Sequence, residues 1–311
     1  KYEGTKGIGH VRYATCGPDD VSYAQPFERH HGRRWKWFSF AFNGNIANFT
    51  PLKKEMEKKE YNLVRNTDTE LILHHLEYQF RGDRKTPLHE AFANISDVFD
   101  GAYNIVYLNA MGTLAGLRDP QGFHPLNYAV DDEKIVIASE SCAIKNIGME
   151  NIKTIQPGEI LISENNQAEI KQYVKPKKVS RCMFEWVYFA NAASEIDGKS
   201  VYEARWRLGE ELAKGETLNT NPKEWVVVAV PDTAKPSADA YALALDLPAK
   251  EGLLRNRYVG RTFIEGKGRE ERVREKYNLN FSVLKGKKVI LIEDSVVRGN
   301  TTKPLIDYIK N

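Results

Sequence analysis

Two adjacent carboxylates, Glu293 and Asp294, end the apolar run KKVILI at residues 287–292. The loop Ser295, Val296, Val297, Arg298, Gly299, Asn300 and Thr301 follows at once. A continuous run of β-formers reads as a buried parallel strand, and open α/β sheets bind ligands at the carboxyl ends of their strands. Thr302 and Pro304 then look like the cap and first turn of a helix. Backbone N–H groups, the helix N-terminus and the side chains of Ser295, Arg298 and Thr301 can therefore surround a phosphate, with Gly299 allowing close approach. Carboxylates would repel a bare phosphate, so Glu293 and Asp294 are read as partners of ligand hydroxyls or of a hydrated magnesium ion (Mg2+). A ligand with both a sugar diol and a phosphate reconciles the two halves.

The first half of the chain carries a different constellation. GIGHVRYAT places His10 and Arg12 on an expected strand, FNGNI holds Asn43 and Gly44, and NTDTE puts Asp68 at a helix start. Binding a free amino acid needs a cation for its carboxylate and an anion for its amino group, which Arg12 and Asp68 can supply. An Asn amide beside a Gly backbone N–H can form an oxyanion hole for attack on an amide carbonyl, which suits Asn43 and Gly44. Taken singly, each also has a structural reading: an edge-strand charge, a hairpin turn and a helix cap.

The elements that must position these residues change character midway. WKWFSFAFNG alternates aromatics, and GAYNIVYLNAMGTLAGLRD reads as two strands joined by a turn. In NTDTELILHHLEYQF, Thr67 or Asp68 caps a helix with apolar residues at helical spacing. That is an α+β layout with a mainly antiparallel sheet. VKPKKVSRC, near residues 174–182, breaks the pattern and marks a domain joint. Beyond it, strands and helices alternate: FEWVYFA, SVYEARWRLGEELAKG, WVVVAV, KPSADAYALALDL, KKVILI and a final helix. This order predicts a parallel α/β sheet covered on both faces.

Residues 293–301 resemble the phosphoribosyl pyrophosphate loop of type I phosphoribosyltransferases, and RNRYVGRTFI at 255–264 is similar to the flexible loop of the amidophosphoribosyltransferase family. The family usually shows two Asp and then R-G-T-T, where this chain has Glu293 and Asn300. VPDTAKPSADA resembles the loop on the pyrophosphate side. His10–Arg12, Asn43–Gly44 and Asp68 match N-terminal-nucleophile (Ntn hydrolase) glutamine amidotransferases. The resemblance spans nearly the whole chain. It implies an α+β N-terminal-nucleophile (αββα) glutaminase domain over 1–179, followed by an α/β type I phosphoribosyltransferase domain over 180–311.

By that resemblance, glutamine meets Arg12, Asn43, Gly44 and Asp68. Phosphoribosyl pyrophosphate meets residues 293–301 with Tyr258 and Arg261, and magnesium meets Thr233, Glu293 and Asp294. The implied reaction is glutamine-dependent amination to 5-phosphoribosylamine, a glycosyltransferase step opening purine biosynthesis, with ammonia passing between the domains. The family's nucleophile is an N-terminal Cys whose α-amino group acts as base. Residue 1 here is Lys, and Cys16, being internal, is no substitute. Together with an end soon after a helix start, this reads as a piece missing both termini. At Cys182 some relatives place the first ligand of an iron–sulfur (4Fe-4S) cluster, while the residue-level reading is a buried thiol. The alternatives are a non-catalytic phosphoribosyl pyrophosphate-binding regulator and another amidotransferase sharing only the first domain.

The bulk properties agree. At 311 residues the chain has room for two domains, and 41% hydrophobic with 28% charged residues is a globular composition. Net charge of +3 gives no argument for nucleic acid, although residues 255–288 are locally basic. Cys16, Cys142 and Cys182 show no disulfide or zinc spacing, and no apolar run is long enough for a membrane helix. A cytoplasmic homo-oligomer acting on small molecules, without membrane or nucleic-acid partners, is expected.

Overall fold

In FSFAFNGNI the large apolar side chains recur at every second residue, and the segment forms the long strand β2. A computed structural model describes residues 4–12, 20–165, 167–176, 178–256, 269–297, 299 and 302–310, without the side chains of 269–272. The chain divides into two compact units, Lys1–Cys182 and Met183–Asn311.

The first unit runs β1 (Phe27–Arg29), β2 (Phe38–Ile46), α1 (Phe49–Lys58), α2 (Asp68–Gln79), α3 (Leu88–Ser96), β3 (Gly101–Asn109) and β4 (Leu114–Leu117). It continues with β5 (Asn127–Val130), β6 (Ile135–Ala138), α4 (Ser141–Lys145), β7 (Lys153–Thr154), β8 (Glu159–Glu164) and β9 (Gln167–Gln172). One sheet has the order β1-β2-β3-β4-β8-β9 and the other β6-β5-β7, with antiparallel pairs throughout.

Helices α1 to α3 bury Leu52, Met56, Leu71, Leu76 and Phe92 against Phe38, Phe40, Phe42 and Tyr107 of β2 and β3. Each such burial contributes about 1.5–3 kcal/mol. On the opposite face, Leu161 of β8 packs with Leu126, Ile155 and the partly buried Ile137 of β6. A Cβ on Gly116 would come within 2.8 Å of the Ile137 side chain, so the two sheets need a glycine to approach there. Ile144 of α4 covers the far side of the small sheet with Ala129 and Met149. The resulting layers are α, β, β, α, as the resemblance implied.

The expected strand at GIGHVR does not form: residues 6–12 join no sheet. On β2, past its pairing with β1, the Phe42 N–H donates to Gln25 Oε1 at 2.6 Å and the Phe42 carbonyl accepts from Gln25 Nε2 at 3.2 Å. One glutamine amide thus occupies the ladder positions a neighbouring strand would use.

The second unit runs β10 (Glu195–Ile196), β11 (Lys199–Ser200), α5 (Val201–Lys214), β12 (Trp225–Ala229), α6 (Lys235–Ala244), β13 (Leu253–Arg255), α7 (Arg269–Lys276), β14 (Tyr277–Leu279), α8 (Phe281–Leu284), β15 (Lys288–Ile292) and α9 (Thr302–Lys310). WVVVAV and KKVILI pair as parallel β12 and β15 with Val227 opposite Ile290. Both faces are covered: Val227 packs with Ala238 and Tyr241 of α6, while Val226 and Val228 pack with Leu284 and Leu305. The antiparallel pair β13–β14 was not anticipated from the sequence.

FEWVYFA, expected as the first strand of this unit, is instead a π-helical turn over Glu185–Phe189. Its aromatic and β-branched residues favour a strand, but Arg205 of α5 donates to the carbonyls of Trp186 and Ala190, both at 2.8 Å. A buried guanidinium therefore satisfies the backbone that a sheet would otherwise have to pair.

His75 on α2 is buried edge-on to Phe99, and its Nε2 has no partner. Burial, chiefly, and then the charges of Lys59 and His74 push its pKa down to about 4 against the pull of Glu55. The folded state thus binds fewer protons than the unfolded chain between about pH 4 and the ordinary histidine value. This stability is complete above that value and is lost as pH falls toward 4. On going from pH 7 to pH 4, His75→Leu should lose less unfolding free energy than the unmodified chain, by up to about 3 kcal/mol. Equal losses in urea titrations would contradict a neutral His75. In α5, a Cβ on Gly209 would lie 2.1 Å from the Ser237 carbonyl oxygen of α6. Gly209→Ala should therefore force the two helices apart and destabilise the second unit by about 1–3 kcal/mol in thermal unfolding.

Candidate active sites

In the first unit the candidate residues gather around the carboxyl-terminal half of β2. Asn43 and Gly44 lie opposite Asn104 and Tyr103 of β3, and Asn43 is exposed. A Cβ at Gly44 would stand 1.9 Å from the Ala102 carbonyl oxygen, so no larger residue keeps this backbone position. Asp68 Oδ2 accepts from the Ile46 N–H at 3.0 Å and more weakly from Asn45 Nδ2 at 3.4 Å. Burial raises the Asp68 pKa, and the Ile46 N–H opposes that shift.

The helix start explains how Asp68 reaches this place. Thr67 is the cap, its Oγ1 accepting from the Glu70 N–H at 3.2 Å, so Asp68 is the first helical residue. The buried Glu70 carboxylate collects the N–H groups of Val64, Arg65 and Asn66 at 2.8, 2.7 and 3.0 Å. That carboxylate ties the approach loop to the first turn of α2, while Asp68 bonds the helix start to β2.

Arg12 approaches the same strand through His10. His10 is half-buried near the Phe42 backbone, and its pKa is lowered first by burial and then by the Arg12 charge, with the Phe42 backbone opposing the shift. The Arg12 guanidinium carbon lies 5.5 Å from the centre of the Tyr23 ring. Of the two expected poles, Asp68 is thus bonded to residues 45 and 46 of β2, and Arg12 is placed by Tyr23 and by its charge acting on His10. Gln25 and Asn104 carry no signal in the sequence, whereas Glu70, in the first turn three residues after a Thr cap, does.

In the second unit, β12 and β15 end side by side, which brings Thr233 to Asp294. Thr233 Oγ1 donates to Asp294 Oδ2, and Ser295 Oγ donates to Asp294 Oδ1 at 2.5 Å. Burial, and next the adjacent Asp294 charge, raise the Glu293 pKa to about 7. Arg255 Nη1 meets Asp232 Oδ2 at 3.1 Å, joining the loop after β12 to the end of β13. Beyond Ser295, Val296 and Val297 are exposed at 67% and 72%, and Gly299 has φ +67°. Among the described residues, neither valine belongs to a core cluster. Arg298, Asn300, Thr301, Tyr258 and Arg261 lie outside the described residues, as does Cys16.

Thr233, Glu293 and Asp294 are oxygen donors of the kind magnesium takes, and Glu293 and Asp294 are two neighbouring carboxylates whose charges repel. No group of three or more His, Cys, Asp or Glu is placed to hold a metal among the described residues. A magnesium ion held by these three oxygens would still need water and substrate oxygens to complete its six positions. Cys182 is half-buried rather than buried, and its N–H donates to the Phe123 carbonyl at 3.0 Å. One thiol is a single ligand where a cluster needs four, so the described residues do not themselves fit an iron–sulfur site.

Known proteins resemble this chain in sequence and in fold. Residues 10–146 match the glutamine amidotransferase domain family. An amidophosphoribosyltransferase of Methanothermobacter thermautotrophicus is 39% identical across 99% of this chain, and one of Bacillus subtilis is 33% identical across all of it. The chain spans 64% and 63% of those relatives' lengths. A solved structure of the B. subtilis glutamine phosphoribosylpyrophosphate amidotransferase, complexed with ADP and GMP, superposes with a TM-score of 0.84 over 97% of this chain and 64% of its own, at 32% identity. By sequence and by fold, an N-terminal-nucleophile-type glutamine amidotransferase domain followed by a phosphoribosyltransferase domain, this chain is a relative of the amidophosphoribosyltransferases along its whole length.

Proposed function

We propose that this chain is the glutaminase and phosphoribosyltransferase portion of an enzyme that aminates phosphoribosyl pyrophosphate to 5-phosphoribosylamine, the first step of de novo purine synthesis. The observation that carries the reading is the joining of Thr233 to Asp294 at the ends of two parallel strands. The same chain sets Asp68 against the Asn43–Gly44 strand. A glutamine-dependent synthase of another kind would share only the second of these.

In the glutaminase half, Arg12 binds the α-carboxylate of glutamine and Asp68 its α-amino group, which fixes the side-chain amide near Asn43 and Gly44. The Asn43 amide and the Gly44 N–H then stabilise the oxyanion formed when that amide is attacked. No residue of this chain is assigned the nucleophile's role. Asp68 already accepts from Ile46, so it is held in place before the substrate arrives.

In the transferase half, Glu293 and Asp294 receive the ribose diol, and residues 295–301 receive the 5′-phosphate on backbone N–H groups before α9. A carboxyl titrating near neutrality, like Glu293, can donate to one sugar hydroxyl and accept from the other. Magnesium, when bound by Thr233, Glu293 and Asp294 with substrate oxygens, would neutralise charge on the pyrophosphate leaving group. Ammonia attacks C1 of the ribose, the bond from C1 to the pyrophosphate oxygen breaks, and the nitrogen loses a proton. Tyr258 and Arg261 are proposed to cover the pyrophosphate and exclude water. The setting proposed is a cytoplasmic homo-oligomer; no helix among the described residues is long and apolar enough to cross a membrane.

With ammonium replacing glutamine, the full-length protein should release pyrophosphate from phosphoribosyl pyrophosphate only when magnesium is present; no release would contradict the reading. Asp294→Asn should slow that release by roughly a hundredfold, the scale of losing one electrostatic contact in a transition state. Arg12→Leu should instead raise KM for glutamine by roughly tenfold or more while KM for ammonium stays the same. An equal rise in both would remove Arg12 from glutamine binding.

A further inference from the structure

Asn104 of β3 stands directly opposite Asn43 in the β2–β3 register. It is 4% exposed, its Nδ2 donates to the Pro125 carbonyl at 2.9 Å, and its Oδ1 is buried without any partner. A buried carbonyl oxygen lacking a donor costs about 1–3 kcal/mol, so its retention calls for a reason.

The register supplies one. Phe42 and Tyr103 belong to the core under α1 to α3, so the next residues along each strand, Asn43 and Asn104, share the opposite face. Opposed side chains on antiparallel strands have Cβ atoms about 5 Å apart, within reach of one amide for another. The Asn43 amide carries two N–H hydrogens, and an oxyanion takes only one of them. Its terminal torsion has a broad, roughly two-fold preference, so an exposed Asn43 has no fixed amide plane of its own.

Asn104, by contrast, is anchored. Its acceptor Pro125 follows a loop in which the buried Arg118 donates to the carbonyls of Gly122 and His124 at 3.0 and 2.7 Å. In the same loop Asp119 Oδ1 accepts from the Gln121 and Gly122 N–H groups at 2.8 and 2.7 Å.

We propose that Asn104 is a positioning residue for Asn43: its Oδ1 accepts one Asn43 Nδ2 hydrogen during glutamine hydrolysis and so aims the other at the developing oxyanion. The inference rests on the assignment of Asn43 and Gly44 as the oxyanion hole. The bond spends the orphaned oxygen of Asn104 and removes the rotational freedom of Asn43 in one step.

A double-mutant cycle in the full-length protein tests this, with glutamine hydrolysis and ammonium-driven amination as parallel assays. Asn104→Leu should lower kcat for glutamine hydrolysis by roughly tenfold, leave KM for glutamine and the ammonium-driven rate unchanged, and have no further effect in an Asn43→Ala background. Asn104→Gln, which keeps both an acceptor oxygen and a donor for the Pro125 carbonyl, should retain more of kcat than Asn104→Leu, and its polar amide covers the case in which the leucine variant unfolds. Unchanged kcat in Asn104→Leu, a further loss in the Asn43→Ala background, or an equal drop with ammonium would overturn the inference alone. Normal hydrolysis by Asn43→Ala would instead overturn the oxyanion-hole assignment, and this inference with it.

Discussion

The pairing of β2 with β3 is the constraint on which the first unit depends. Its register places Phe38, Phe40 and Phe42 under the helices while the same strand carries Asn43 and Gly44 out to an accessible end. A slip of one residue would exchange those faces, burying the amide and exposing the rings. The close approach of Gly44 to the Ala102 carbonyl holds the register at the place where it matters for chemistry. Core packing and site geometry are therefore two consequences of one ladder of backbone hydrogen bonds.

The second unit uses the parallel version of the same principle. Because β12 and β15 run side by side in one direction, the loops after them emerge together, and Thr233 meets Asp294 although 61 residues separate them in sequence. Packing on both faces keeps the strands from shifting, so the carboxylates are presented by a rigid support. Partial burial, and after it the neighbouring Asp294 charge, raise the Glu293 pKa to about 7. Across both units, charges in the sites are held by backbone groups and hydroxyls more than by opposite charges. Asp68 leans on Ile46, and Asp294 on Thr233 and Ser295.

The legible parts of the sequence were those whose cause is local. Continuous apolar runs at WVVVAV and KKVILI marked the parallel strands, and the change of pattern near residue 180 marked two architectures. NTDTE announced the start of α2, because a Thr hydroxyl three residues before a Glu satisfies a helix N–H from within the segment. GIGHVR and FEWVYFA misled, since side chains from elsewhere took backbone groups a sheet would pair: Gln25 took those of Phe42 on β2, and Arg205 took the carbonyls of Trp186 and Ala190. Neither donor lies within the stretch that was read.

What the sequence determined by itself was the chemistry on offer: a carboxylate pair before a Gly- and hydroxyl-containing loop, and an Arg, an Asn-Gly pair and an Asp suited to an amino acid. Residue type and short spacing are properties of a string, so they survive without a structure. Tertiary structure alone decided which groups face one another, such as Asn104 across from Asn43, Thr233 on Asp294 and the buried Glu70 gathering the amides of its own approach loop. Those contacts are made by strands and loops brought together from distant parts of the chain, and their energies come from burial and desolvation, which exist only once the core has closed.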